Sequence, residues 1–379
     1  MIDFSLTEEQ KALQDLARKF ALNEIRPIAA KCDEHSEMPM DVFQKAWENG
    51  LMNEFIPTEL GGLGLGCIDS CLLIEQMAYG CPGIATSLFC NTLALAPVLV
   101  GGSAEQKQRV FSGFANTFQL ASFCLSEPNA GSDVAGLSTK VTKDGSDYIL
   151  NGAKQWITNA GYASTFTVFA TLDSSKGHKG ICAFIVDAKS NGITLGKKED
   201  KMGQRASDTR AVIFDNVRVP KENLLGAEGE GFIIAMKALD RTRPAIAAMA
   251  TGASQAALDY ALNYSKERTA FGKPISQNQG ISFLLADMER DIVASRLLTL
   301  NAAWKIDQNL NASRDSSIAK LFATDSAMRI TTDAVQVYGG YGYTKEYPVE
   351  KLMRDVKVMQ IFEGANQIQR LVIAKELLK

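Results

Sequence analysis

The feature that constrains this chain most is a double change of hydrophobic period. Up to about residue 117 apolar residues recur at helical spacing. From Phe118 they fall into short alternating or continuous runs, and past Gly226-Ala-Glu-Gly-Glu-Gly231 the helical period returns. At 379 residues the chain also exceeds what one core usually serves. The pattern predicts an α+β multidomain protein with a helical domain over 1–117, a small antiparallel sheet or barrel over 118–228 and a helical bundle over 229–379.

Within the first part, Ser5-Leu-Thr-Glu8 reads as a capping box, followed by Leu13, Leu16, Ala17, Phe20 and Ala21 on one face. Pro27 marks a turn or a new helix start, and further helices are predicted over 40–49, 68–79, 83–100 and 104–114. The glycines of 57–66 have Rossmann-like spacing, but no βαβ unit surrounds them, so a plain loop is expected. In the last part four helical segments are predicted, over 232–266, 277–308, 312–337 and from Gln367 onward.

Composition narrows the function classes. A net charge of −3 with mixed signs argues against a nucleic-acid surface. The histidines are two, in polar stretches, which leaves little for a metal site or a Ser-His-Asp triad. Seven cysteines without a C-x-x-C pair suggest buried free thiols in a reducing compartment. The first residues lack the basic and apolar regions of a signal peptide, and no membrane span is expected. These point to a cytoplasmic protein, although a processed mitochondrial matrix chain would look the same.

Three stretches and one carboxylate stand out; taken singly they read as a turn, a core Trp, a helix-end ion pair and a solvent-facing Glu at a helix start, but together they ask for more than packing. Phe123-Cys-Leu-Ser-Glu-Pro-Asn-Ala-Gly-Ser-Asp133 forms an irregular loop in which Ser126 and Ser132 offer hydroxyls and amides to a ligand. In Gln155-Trp-Ile-Thr-Asn159, Trp156 can cover an aromatic ring system while Thr158 donates to its edge. Asp240-Arg-Thr-Arg-Pro244 places cations inside an apolar helix, costly unless paired. Last, Glu363 stands just before a helix start, between Phe362 and Gly364. The helix N-terminus stabilises its charge, an apolar surround destabilises it, and Gly364 allows a turn that holds the carboxylate clear of the helix.

Together, Ser126-Glu-Pro-Asn-Ala-Gly-Ser-Asp133, Trp156-Ile-Thr-Asn159, Met202-Gly-Gln-Arg-Ala-Ser-Asp-Thr-Arg210, Glu267-Arg-Thr-Ala-Phe-Gly-Lys273, Gln336-Val-Tyr-Gly-Gly340, Met353-Arg-Asp355 and Ile361-Phe-Glu-Gly364 resemble the acyl-CoA dehydrogenase family, in order and over essentially the whole chain. The resemblance implies N-terminal helices, a middle β-barrel, a C-terminal four-helix bundle and commonly a homotetramer. It also implies FAD-dependent oxidation of an acyl-CoA to the trans-2-enoyl-CoA, with electrons passed to electron-transfer flavoprotein. In that family a carboxylate removes the α-proton while the β-hydrogen leaves as hydride to the flavin.

By the same resemblance Glu363 is the base, and Thr242 stands where some relatives carry it instead. Phe123, Leu125, Ser126, Ser132, Trp156, Thr158 and Gln367 match flavin contacts. Arg268, Phe271, Gln336 and Gly340 match contacts to the pyrophosphate and adenine across a subunit interface. Ser132, Asp240, Thr242 and Arg243 match the substrate side, and 91–97 is expected to line the acyl tail. A short or medium straight chain is the closest likeness. An oxygen-reactive acyl-CoA oxidase-like enzyme and a non-catalytic flavin or acyl-CoA scaffold are the alternatives.

Overall fold

The computed structural model describes residues 5–379. The first part is helical: α1 (Glu8–Phe20), α2 (Ala29–Glu34), α3 (Met40–Glu48), α4 (Cys67–Gly80), α5 (Pro82–Gly101) and α6 (Ala104–Asn116). The capping box lies two residues later than the spacing suggests. Gln10 N donates to Thr7 Oγ1 at 3.2 Å and Thr7 N to Gln10 Oε1 at 3.1 Å. Thr7-Glu-Glu-Gln10 offers the same reciprocal chemistry as Ser5-Leu-Thr-Glu8, and the later start lets the Gln10 amide also reach Asp69 of α4 at 3.0 Å. Pro27 lies in a 3-10 turn that leads into α2. The glycine-rich 57–66 stretch is a loop with one 3-10 turn, Thr58–Leu60.

By length and composition α5 is apolar enough to cross a membrane, which the sequence reading passed over; 72% of that stretch is buried inside the protein, where it serves as a core helix. All seven cysteines are buried free thiols.

The middle part holds β1 (Ala121–Cys124), β2 (Lys140–Asp144), β3 (Asp147–Thr158), β4 (Thr165–Thr171), β5 (Ile181–Asp187), β6 (Ile193–Lys198), β7 (Thr209–Val219) and β8 (Leu224–Leu225). They form one sheet in the order β6-β7-β3-β2-β4-β5-β8, with β1 beside β4. The ladders are antiparallel except where β1 and, at a single pair, β2 meet β4. A register shift between Lys154 and Ile157 puts a bulge in β3, and Trp156 sits there with φ 64°. The bulge re-aims that side chain away from the ladder.

The last part comprises α7 (Gly231–Glu267), a two-residue-strand hairpin of β9 (Thr269–Ala270) and β10 (Lys273–Pro274), α8 (Gln279–Asp307), α9 (Ser313–Tyr338), α10 (Val349–Lys357) and α11 (Asn366–Leu377). The four predicted helices are present, and α10 adds a fifth. Nine residues are too few to read as a helix from propensity alone. Burial of Val349, Leu352 and Val356 and the ion pairs of Arg354 with Glu350 and Asp33 hold it in place.

The 37-residue α7 is the spine. It approaches α4 so closely that a Cβ on Gly252 would lie 2.0 Å from the Glu75 carbonyl oxygen. One buried core, including Phe43, Ile74, Met249, Ala323 and Met359, runs through the N-terminal and C-terminal helices. A second, including Leu95, Phe111, Phe169 and Leu239, joins α5 and α6 to the sheet and to α7. The segment before α11 closes over the region where α5, β3 and α7 face one another.

Candidate active site

Glu363 and Gly364 follow the 3-10 turn Val358–Gln360 and precede α11, with φ 49° and 92°. Two successive left-handed residues swing the carboxylate away from α11; glycine takes this conformation freely, whereas for Glu363 it costs about 1–3 kcal/mol. Several donors hold the turn from behind. Lys320 Nζ donates to Gly364 O at 2.8 Å, and Gln369 Nε2 donates to Gly364 O at 2.9 Å and to Glu363 O at 3.3 Å. Arg243 Nε reaches Glu363 O at 3.5 Å.

The Glu363 carboxyl receives one side-chain hydrogen bond, from Thr242 Oγ1 to Oε2 at 2.8 Å. Burial pushes the group up to about 7, against the Thr242 bond and the Arg243 and Lys320 charges, which pull it down. The residue keeps some accessible surface through the cavity that it lines.

That cavity has a volume of about 410 Å³. Thr86, Phe89, Cys90 and Leu93 of α5 form one wall, and Met236, Leu239 and Ile246 of α7 another. Trp156 and Thr158 of β3 and the 123–135 loop, with Ser126 and Ser132, complete the lining. Trp156 is 61% exposed. A large indole left open on a cavity wall, with the Thr158 and Ser126 hydroxyl-bearing residues beside it, fits a planar aromatic ring system. An apolar chamber with one carboxyl near neutrality can take a weakly acidic carbon-bound proton while keeping water out.

The chain matches three family profiles end to end: "Acyl-CoA dehydrogenase, N-terminal domain" over residues 7–117, "middle domain" over 122–217 and "C-terminal domain" over 229–378. The chain belongs to the acyl-CoA dehydrogenase family. It is 44% identical to the mitochondrial short-chain specific acyl-CoA dehydrogenase of Rattus norvegicus, over 99% of this chain and 91% of that one. It is 43% identical to a probable mitochondrial medium-chain specific acyl-CoA dehydrogenase of Caenorhabditis briggsae, over 100% and 92%. The solved butyryl-CoA dehydrogenase from Megasphaera elsdenii superposes with a TM-score of 0.98 at 41% identity, covering 100% of both chains. Like its relatives, the chain is an oxidoreductase, of a family that depends on FAD.

For an acyl-CoA dehydrogenase the single chain assembles half of the expected site. Phe123, Leu125, Ser126, Ser132, Trp156, Thr158, Arg243 and Glu363 all line the one cavity. Arg268 and Gly340 line a separate recess of about 480 Å³ with Tyr264, Tyr338 and Tyr341. Phe271 is 95% exposed, and Gln336 and Gln367 are exposed. Asp240 stands off the cavity, ion-paired with Arg243. Thr242 is buried behind the Glu363 carboxyl, so its position gives it the base, rather than the substrate, as partner.

Of the 91–97 stretch expected to line the acyl tail, Leu93 lines this cavity, and Thr92 and Ala96 line a neighbouring recess with Phe89. Because α5 turns every 3.6 residues, it presents 86, 89, 90 and 93 to the main cavity. Asn91 points instead into the protein, where it bonds Asn53, the Gln119 carbonyl and the Ala121 amide. Sequence reasoning also missed Lys320 and the buried Glu127–Lys154 pair. The signal for Lys320 was available: a cation among Ser316, Ser317, Ala319, Ala323 and Thr324, all on the buried side of α9.

Proposed function

We propose that this enzyme desaturates short- to medium-length straight-chain acyl-CoA thioesters between the α and β carbons, with electrons passing on to an electron-transfer flavoprotein in fatty acid β-oxidation. The observation that carries the reading is Glu363, a half-buried carboxyl held near neutrality in an apolar cavity that the exposed Trp156 also lines. Phe123, Leu125, Ser126, Ser132, Trp156 and Thr158 would hold the ring end of FAD. Bound FAD supplies the two-electron acceptor for the hydride that leaves the β-carbon.

The chain's own residues do the proton chemistry. Glu363 takes the α-proton, and its ionised form is the competent one. Thr242 orients the carboxylate by its hydrogen bond to Oε2. The apolar walls from α5 and α7 exclude water and accept an unbranched hydrocarbon tail. Arg268, Phe271, Gln336 and Gly340, turned away from this cavity, are proposed to serve the far end of FAD bound by a second copy in a homotetramer. Arg268 suits phosphate there. The short chain length follows the names of the rat and Megasphaera relatives.

Three experiments test this. An anaerobic panel of acyl-CoAs of graded length and branching should bleach the holoenzyme fastest with short straight chains; fastest bleaching by long or branched members overturns the substrate assignment. Peroxide formed at the turnover rate with no added acceptor would instead make the enzyme an oxidase. The kcat/KM for the best substrate should rise with pH through about 7, since protonation removes the base. It should fall about tenfold per pH unit below that limb. A profile flat through neutrality contradicts Glu363 as the base.

A further inference from the structure

Behind the Glu363-Gly364 turn lies a lysine with no accessible surface. Lys320 of α9 donates to Gly364 O at 2.8 Å and to Asn366 Oδ1 at 2.9 Å. Asn366, also buried, is locked by bonds from its amide to Thr324 Oγ1 at 2.9 Å and Asp325 Oδ1 at 2.7 Å. Among the described residues Lys320 makes no ion pair with any carboxylate. A buried ammonium satisfied only by neutral oxygens is costly, and a neutral side chain could tie down the same carbonyl at lower cost. The charge therefore asks for a use beyond packing.

We propose that Lys320 is a positioning residue for the catalytic base: it anchors the turn that aims Glu363 into the cavity and, in its ammonium form, places a positive charge behind the carboxylate. The inference rests on the reading of Glu363 as base.

The surrounding charges leave this task to few groups. Arg243 of α7 is the other cation that faces Glu363, but it is already paired with Asp240. Asp325, one turn along α9, is bound by Asn366, Gln360 and Arg370. Cys90 of α5 faces the carboxyl as a thiol that burial pushes up to about 12, so it stays neutral. Burial draws Lys320 down to about 7, and the Glu363 charge is the first influence that opposes it. Ammonium and carboxylate thus support one another's charged forms across the turn.

The test compares kcat/KM against pH for holoenzyme of the wild type, Lys320→Met, Lys320→Gln and Lys320→Arg, with Glu363→Gln as the reference. The neutral variants should shift the acid limb toward higher pH by about one unit. They should lose about fivefold in kcat at neutral pH, approaching tenfold below the limb, recover at alkaline pH and leave KM little changed. Lys320→Arg should keep the limb near its wild-type place. Loss of rate at every pH with an unmoved limb would show a merely structural lysine and overturn the proposal, as would failure of both neutral variants to fold. If Glu363→Gln turns over normally, the base assignment itself falls. If it is inactive while the limb of the Lys320 variants stays put, only the Lys320 proposal does.

Discussion

Glu363→Gln is expected to lower kcat by about 10²–10⁴-fold, the range by which a positioned general base accelerates proton transfer. The amide keeps the size of the side chain and can still accept from Thr242 Oγ1, so FAD retention and KM should change little. The same substitution should raise stability at high pH. The folded-state pKa of Glu363 is raised by burial, so its contribution to stability is fully present below its unfolded value and is lost as pH rises through about 7. Above that pH the wild type holds a buried carboxylate and the variant holds a neutral amide. The variant should therefore melt at the higher temperature there. A lower melting temperature at alkaline pH, together with lost activity, would mean the substitution had broken the fold and not only the chemistry.

The second large effect concerns the 123–135 loop. Glu127 and Lys154 form an ion pair at 2.7 Å with both side chains essentially inaccessible. Glu127 also accepts from the Ser138 amide and hydroxyl at 2.6 and 2.7 Å and from the Thr139 amide at 2.9 Å, while Lys154 donates to Leu125 O at 3.1 Å. Burial pushes Glu127 up, but Lys154 and the other donors outweigh it and hold the carboxyl down at about 2. Burial also draws Lys154 down, against the Glu127 charge. With four donors converging on the carboxylate, the ionised pair is the form that fits the geometry.

This pair joins the loop carrying Ser126 to β3 just before the bulge that carries Trp156. Glu127→Gln or Lys154→Met should each destabilise the protein by about 3–5 kcal/mol, because the remaining charge is left buried alone. Replacing both together should recover part of that loss. Urea unfolding reads the change, and a loss under about 1 kcal/mol for each single variant would show the loop is held by other means. Weakened FAD retention should accompany the loss, since Ser126 and Trp156 flank the pair.

Much of this was legible in the residues, for physical reasons that differ by element. The change of period at Phe118 and after Gly231 marked the helix, sheet and helix order because the two backbones present side chains at periods that do not mix. Gly364 before a helix start announced the turn, and φ 92° bears this out. The same logic could not anticipate that Glu363 is itself left-handed, since donors from α7, α9 and α11 impose that conformation. Helix α10 was invisible because its stability comes from buried Val349 and Leu352 and not from length. Residues 91–97 read as one apolar string, whereas the helix parts them between the main cavity, a neighbouring recess and the core. Lys320 and Glu127 owe their interest to burial and to partners 44 and 27 positions away. The helical spacing could mark Lys320 as a cation on a buried face, but which groups it and Glu127 meet is a property of the folded chain.

Anaerobic mixing of the wild type and Glu363→Gln holoenzymes with butyryl-CoA tests the central claim most directly, with flavin absorbance and ligand binding followed together. The wild type should bleach rapidly, while the variant, with FAD and acyl-CoA both bound, should keep its flavin colour. Bleaching of the variant at the wild-type rate would contradict Glu363 as the base, and failure of butyryl-CoA or any other acyl-CoA to bleach the wild type would contradict the proposed reaction.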